Sequence, residues 1–307
     1  RGQAAGLVNA VLRKVSQNKE NLPEIPQRDE VKYLSIRYSH PKWLVKRLLL
    51  LLGRTETEAL LALDNGTPPL TVQINPLKTT AEELTRELSA WGVTAKPHAW
   101  VLGCLELTGV GDLTTLEPFR EGKLLVQDPA ARLVSLIAGV QPGQRVLDVC
   151  AAPGGKSFSA AFAMGDKGRI ISCDVHGSKL KRIEEGAARL GLTSIETAAS
   201  DGRVFRPEWA DAYDTVLVDA PCSGLGIIRK KPDIRYKDLA PMQKLPQVQA
   251  AILENVSRYV KPGGVLVYST CTVLKRENEN VANAFLARHP EFRLEVFALP
   301  AGLDAQT

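Results

Sequence analysis

The chain is short of the residues that staple or metallate a fold. In 307 residues it has five cysteines and four histidines. The cysteine count is odd and no Cys-x-x-Cys pair occurs, which argues against a disulfide framework and against a zinc site, and points to a reducing cytoplasm. The histidines are scattered, so no metal is expected. The leucine run Leu48–Leu52 is far too short to cross a bilayer, and no signal peptide is recognisable. The first residue is Arg1 rather than Met, so the chain reads as a fragment of a longer protein. Internal repeats, low-complexity tracts and the Gly-x-Gly-x-x-Gly fingerprint of dinucleotide sites are also missing. Neither charge sign dominates, and a net charge of +5 permits a polyanionic partner without demanding one. What remains, 44% hydrophobic and 24% charged residues, suits a globular protein of two domains.

The chain is organised around residues 145–156, Arg-Val-Leu-Asp-Val-Cys-Ala-Ala-Pro-Gly-Gly-Lys. Arg145–Cys150 reads as a short apolar strand and Lys156–Met164 as the start of a helix. Between them lies a turn of small residues, Ala151, Ala152, Pro153, Gly154 and Gly155. A strand, a Gly-rich turn and a helix N-terminus together present backbone N–H groups to an anionic ligand. Three ligands fit such a turn: a dinucleotide, a nucleoside triphosphate and S-adenosylmethionine. The first lacks its fingerprint. The second needs Gly-x-x-x-x-Gly-Lys-Ser/Thr, which residues 150–157 nearly supply, but position 150 is Cys and Pro153 removes an N–H from the cradle.

Along the chain, residues 3–15 read as a helix with Leu7, Val8, Val11, Leu12 and Val15 on one face. Asn21–Asp29, with Pro23 and Pro26, reads as a linker. Pro41 opens a helix over 42–52 that Gly53 stops, and a second helix follows over 56–63. Then come a strand at 70–75, a helix at 81–91 and a strand at 101–108. From about Gly122, strands and helices alternate as in a parallel doubly wound sheet. Strands are expected near 145–149, 169–173, 194–198, 214–218, 264–268 and 291–297. Helices are expected near 129–138, 156–164, 177–190, 243–260 and 276–288.

Ligands bind such sheets at the carboxyl ends of the strands. Asp174, Asp201 and Asp219 follow three successive strands there. Asp174 lies about 20 residues past the glycine turn, the place from which a carboxylate bonds ribose hydroxyls. Three carboxylates suit a sulfonium cation carrying an adenosine better than a triphosphate, although Asp201-Gly202 equally suits a helix cap. Two cysteines share this edge: Cys222 in Asp219-Ala-Pro-Cys-Ser-Gly and Cys271 in Tyr268-Ser-Thr-Cys-Thr. Lone cysteines are usually small buried apolar residues. That fits Cys104 and Cys173 better than two thiols placed where strands give way to loops.

The segments Cys-Ala-Ala-Pro-Gly-Gly-Lys, Asp-Ala-Pro-Cys-Ser-Gly and Ser-Thr-Cys-Thr, in this order, resemble those of the S-adenosylmethionine-dependent RNA cytosine-C5 methyltransferases, closest to the bacterial 16S ribosomal RNA enzymes of the Fmu/Sun type. The resemblance implies an α/β fold: a Rossmann-like class I methyltransferase doubly wound sheet preceded by a small α+β RNA-recognition subdomain. It divides the chain into residues 1–20, the last helix of a NusB-like domain, 21–121, the small subdomain, and 122–307, the methyltransferase domain. It implies Cys271 as the nucleophile that adds to cytosine C6, Cys222 as the thiol that assists product release, and Asp219 as a hydrogen-bond partner of the base near N3. Cys150 to Lys156 would line the methionine and sugar of S-adenosyl-L-methionine, with Lys156 on the methionine carboxylate, Asp174 on the ribose, Asp201 on the adenine amino group, and Asp219 also touching the cofactor. Arg229, Lys230 and Lys231 are placed to meet RNA phosphates. The expected partner is RNA, small-subunit ribosomal RNA in particular, bound by a cytoplasmic monomer that needs neither metal nor membrane. The family's closing strand lies beyond Ala301–Thr307. The alternatives are a P-loop-like nucleotide hydrolase and a non-catalytic RNA-binding assembly factor.

Overall fold

Segments such as Val146-Leu147, Ile170-Ile171 and Val216-Leu217-Val218 carry apolar side chains on both faces of a strand. They are stable only in a sheet covered on both sides. The computed structural model, which describes residues 2–21 and 23–298, places them in such a sheet. The chain forms two compact units, residues 1–67 with 228–236, and residues 68–227 with 237–307.

The first unit is helical. It contains α1 (Gly2–Gln17), α2 (Glu30–Arg37) and α3 (Lys42–Asp64). The sequence reading missed α2, which starts where the Asp29 carboxylate accepts the Lys32 N–H at 2.9 Å. Gly53 interrupts the helix as expected: at φ 74° and ψ −178° it is non-helical, and two helical segments meet across the kink it makes inside α3. The apolar stripe of α1 stands in solvent, with Leu7 69% exposed.

The second unit opens with a small antiparallel sheet. Its elements are β1 (Leu70–Ile74), α4 (Ala81–Ala90), β2 (Thr94–Pro97), β3 (Cys104–Thr108), α5 (Glu117–Arg120) and β4 (Leu124–Val126), with strand order β2-β3-β1-β4. Strands β2 and β4 were not foreseen, one being polar and the other three residues long. The edge strand β4 lies past residue 121 and leads into α6 (Pro129–Ile137).

The large sheet follows: β5 (Arg145–Asp148), α7 (Gly155–Ala163), β6 (Arg169–Asp174), α8 (Leu180–Leu190), β7 (Ile195–Ala199), β8 (Tyr213–Asp219), α9 (Leu239–Gln243), α10 (Leu245–Val256), β9 (Val260–Ser269) and α11 (Glu279–Arg288). All its strands are parallel, in the order β7-β6-β5-β8-β9. Alternate residues feed two cores. Val146, Ile170 and Leu217 pack with Phe158, Phe162 and Met164 on one face, and Leu147, Ile171 and Val216 with Ile252, Val256 and Tyr259 on the other. The helix expected over 243–260 forms as α10, with Pro246 in its first turn, and the separate short helix α9 ahead of it was not foreseen. The strand expected over 291–297 does not form. Residues 292–298 have no regular structure and pair with no strand among the described residues, and Leu294 and Val296 are exposed. Alternation alone does not make a strand without a partner edge. The stretch 301–307 lies outside the described residues.

The small sheet is locked to the large one by buried polar contacts. Asn75 Nδ2 donates to the carbonyls of Gly122 at 2.8 Å and Leu190 at 3.0 Å. The Ser159 hydroxyl lies 2.6 Å from Gln73 Oε1 and 2.7 Å from Gln127 Oε1. Gly122 sits at φ 73°, and a Cβ there would stand 2.0 Å from the Arg189 carbonyl oxygen. Gly122→Ala is therefore expected to cost about 3 kcal/mol or more, combining left-handed strain with a clash against backbone. Urea unfolding reads this directly, and an unchanged midpoint would refute it.

Candidate active site

The chain lays β6 and β7 to one side of β5 and then returns to lay β8 and β9 on the other. The crevice at this reversal, outside the carboxyl ends of β5 and β8, is where open α/β sheets bind ligands. The glycine turn leaves β5 and the Pro-Cys loop leaves β8, so both motifs border it.

The turn is built by local backbone bonds. Ala151 N–H donates to the Cys173 carbonyl at 2.7 Å and Gly154 N–H to the Ala151 carbonyl at 2.6 Å. The Ala152–Pro153 peptide is cis, and Gly154 caps α7 at φ 111°. A Cβ on Gly154 would stand 2.4 Å from the Phe158 ring, so only glycine lets the turn close onto the helix. Gly155 opens α7, and its carbonyl accepts Gln127 Nε2 at 2.9 Å. Cys150 and Cys173 are pushed up to about 12 by burial.

Beneath the turn lies Asp148, which the sequence reading did not single out. It is wholly buried and accepts the Ser157 hydroxyl at 2.7 Å, which in turn accepts the Ser172 hydroxyl at 2.8 Å. Burial raises its carboxyl to about 6. This chain of short hydrogen bonds ties β5, β6 and α7 together under the crevice.

The acidic residues at the strand ends are held in different ways. Asp174, at the end of β6, accepts the His176 N–H at 2.9 Å and faces Lys179 Nζ at 3.3 Å. Asp201, in the loop after β7, is gripped by its neighbour Arg203 through the Arg203 backbone N–H at 3.0 Å and guanidinium Nη2 at 2.6 Å. Arg203 lowers the Asp201 carboxyl below its usual range. Asp219, at the end of β8, takes Lys156 Nζ at 2.6 Å on one oxygen and the Ser269 hydroxyl at 3.0 Å on the other. Lys156 was expected to pair a ligand carboxylate, but in the structure its ammonium is committed to Asp219. A partly buried pair this short is a strong charge-assisted hydrogen bond.

The two cysteines meet. In the β8–β9 ladder Asp219 lies opposite Ser269, and each strand runs on for two or three residues to its cysteine. The Cys222 and Cys271 sulfurs are 3.1 Å apart, and the Cys271 N–H points at Cys222 Sγ at 3.3 Å. Cys271 is exposed and Cys222 half-buried. The hydrogen bond from Cys222 lowers the Cys271 thiol to about 7, and the same contact together with burial drives Cys222 far up. The contact thus favours the thiolate on Cys271, the more exposed of the two sulfurs, over Cys222. A thiol titrating near 7 is roughly half ionised at neutral pH, against a few per cent for an ordinary cysteine. Beside Cys222 opens a cavity of about 220 Å³ lined by Ser223, Lys237, Asp238, Pro241, Met242 and Leu245.

The basic stretch after the Pro-Cys loop belongs to the first unit. Arg229 is not poised for phosphate: its guanidinium donates to the Thr67 carbonyl at 2.6 Å, and its Nε is buried without a partner. Arg235 is likewise spent, donating to the Ser39 carbonyl at 2.9 Å and to Asn65 Oδ1 at 3.0 Å. Lys230 and Lys231 are exposed. Among the described residues no cluster of three metal-ligating side chains occurs, and no helix is long and apolar enough to cross a membrane.

A parallel sheet with a Gly-rich turn and acidic strand ends at its reversal defines the class I S-adenosylmethionine-dependent methyltransferase fold. The crystal structure of PH0851 has that architecture, with a TM-score of 0.83 and 34% identity over 94% of this chain and 66% of that one. A methyltransferase homolog protein from Pyrococcus horikoshii aligns with a TM-score of 0.71 and 26% identity over 83% of this chain and 81% of that one. Residues 136–307 match the model of the 16S rRNA methyltransferase RsmB/F family, and residues 40–114 that of its ferredoxin-like domain. The chain belongs to the RsmB/F family. It is 37% identical over 94% of its length to the "Probable ribosomal RNA small subunit methyltransferase B" of Bacillus subtilis, and 34% identical over 96% to the ribosomal RNA small subunit methyltransferase B of Serratia proteamaculans. It spans 64% of the Bacillus protein and 67% of the Serratia one.

Proposed function

We propose that this chain carries the catalytic part of an RNA cytosine-C5 methyltransferase acting on small-subunit ribosomal RNA through a covalent Cys271–C6 adduct. The observation that carries this reading is the sulfur pair. A reaction that adds a thiolate and later expels it is served by two thiols, one ionised and the other its hydrogen-bond donor, at the mouth of a ligand crevice.

The donor set suits S-adenosylmethionine. Asp174 and Asp219 offer carboxylates to a cation and to ribose hydroxyls, and the α7 N-terminus offers N–H groups to a carboxylate. Residues Cys150 to Lys156 and Asp201 complete its surroundings. When bound, S-adenosylmethionine supplies a methyl group on a positively charged sulfur. Cytosine C5 is a weak nucleophile until Cys271 adds to C6. The new S–C6 bond forces the C5–C6 π pair onto C5, which takes the methyl while the old carbon–sulfur bond breaks with its electrons on the donor sulfur. Loss of the C5 proton to a base then returns a pair to the C5–C6 bond, and the Cys271 sulfur leaves with its own electrons. Asp219, fixed by Lys156 and Ser269, hydrogen-bonds the base near N3, and Cys222 assists the elimination. Lys230 and Lys231 offer ammonium groups to RNA phosphates. The target base has to be unstacked, which costs least in looped or single-stranded RNA.

The test is tritiated-methyl transfer from S-adenosylmethionine to unmodified small-subunit ribosomal RNA, followed by mapping of the labelled base. Label on C5 of one cytidine is expected. RNA binding without incorporation would favour an assembly factor, and label elsewhere on the base would overturn the thiol mechanism.

A further inference from the structure

Glu277 has no part in the reaction set out above, yet its side chain is 0% exposed beneath the two cysteine loops. Burying a carboxylate is costly unless hydrogen bonds compensate it. The bonds it makes converge on one place. Its Oε2 accepts the N–H of Ser223, the residue after Cys222, at 2.7 Å. The same oxygen faces Gln249 Nε2 at 3.5 Å, and Gln249 donates to the carbonyl of Pro221, the residue before Cys222, at 2.9 Å. The backbone on both sides of Cys222 is thereby tied to one carboxylate.

The Cys271 loop is tied to the same turn. The Tyr268 hydroxyl, from the end of β9, donates to the Glu277 carbonyl at 2.6 Å. Asn278 Nδ2 donates to the Thr272 carbonyl at 2.8 Å, and Asn278 Oδ1 accepts the Thr270 hydroxyl. The Ser223 and Thr272 hydroxyls, each directly after a cysteine, lie 2.7 Å apart and close the circuit. The only cation paired with the carboxylate among the described residues is Arg276, its Nε 3.8 Å from Oε1.

We propose that Glu277 is a positioning residue, whose buried carboxylate clamps the Pro-Cys loop against the Thr-Cys loop and so holds the Cys222 and Cys271 sulfurs within hydrogen-bonding reach. Its consequence for catalysis rests on the methyltransferase reading. The thiol geometry does not, and can be measured without RNA or cofactor.

The measurement is the pH profile of iodoacetamide alkylation at Cys271, followed by peptide mass in the intact chain. The wild-type inflection is expected near 7. Glu277→Ala releases Cys222, so the inflection should rise by about one pH unit, which cuts the thiolate at pH 7 roughly fivefold. The turnover of RNA methylation should fall about as much while KM for RNA moves less than twofold. Glu277→Gln keeps an oxygen for the Ser223 N–H and should restore the wild-type profile. A folded Glu277→Ala protein with an unmoved inflection overturns the proposal, as does a Gln variant that folds yet behaves like Ala. Should Glu277→Ala not fold, Gln249→Leu carries the test, with a smaller upward shift expected and no shift overturning it. A Glu277-dependent inflection in a protein that methylates no RNA would retain the clamp and reject the methyltransferase reading.

Discussion

Cys271→Ala is expected to abolish methyl transfer, by roughly a thousandfold or more, while S-adenosylmethionine still binds with near wild-type affinity. The two effects separate because they belong to different elements. The cofactor's proposed contacts come from the ends of β5, β6 and β8 and the loop after β7, and none passes through the sulfur at the end of β9. Removing that sulfur leaves C5 without the electron pair that addition at C6 would supply. A loss of this size corresponds to roughly 4 kcal/mol or more of barrier. Cys271 is also exposed, so truncation leaves no buried cavity and little cost in stability. Calorimetry with the cofactor and methyl incorporation into ribosomal RNA read the two halves separately. Residual transfer within tenfold of wild type would remove Cys271 from the chemistry.

Cys222→Ala is expected to leave a covalent protein–RNA adduct that survives denaturing electrophoresis. If Cys222 assists expulsion of Cys271 from C6, losing it slows release more than addition, and the adduct accumulates. The variant should also change its pH dependence. The contact with Cys222 lowers the Cys271 thiol, so without it the Cys271 pKa moves up toward the ordinary thiol range. The thiolate is then scarce at pH 7 and grows toward pH 9, and adduct formation should rise over that interval. Wild-type Cys271 alkylation, in contrast, should have levelled off by about pH 8. An absence of adduct at every pH would assign release to another group.

Much of this was legible locally. Runs of consecutive apolar residues marked the buried inner strands β5, β6 and β8, and Gly, Pro and Asp punctuated their ends. The three motifs stood out because each places unusual residue types where a strand yields to a loop. What the sequence could not show is which partners arrive from afar: the carbonyl of Thr67 reaches Arg229 and the carboxylate of Asp219 reaches Lys156 from distant parts of the chain. Residues 291–297 alternated like a strand, but they pair with no strand among the described residues. Glu277 carried no signal at all, lying in the charged stretch Lys-Arg-Glu-Asn-Glu-Asn that reads as solvated surface.

By itself the sequence determined the strands of the large sheet, where the glycine turn falls and which thiols stand at the ligand edge, because propensity, periodicity and turn chemistry act over a few residues. The tertiary structure alone decided that the two sulfurs lie 3.1 Å apart, that Asp219 is shared between Lys156 and Ser269, and that the Glu277 carboxylate holds the Cys222 loop while the Glu277 carbonyl and Asn278 hold the Cys271 side. Those distances follow from the register of β8 on β9 and from helices packed on both sides of the sheet. A parallel ladder fixes them only once the whole sheet has closed around its core.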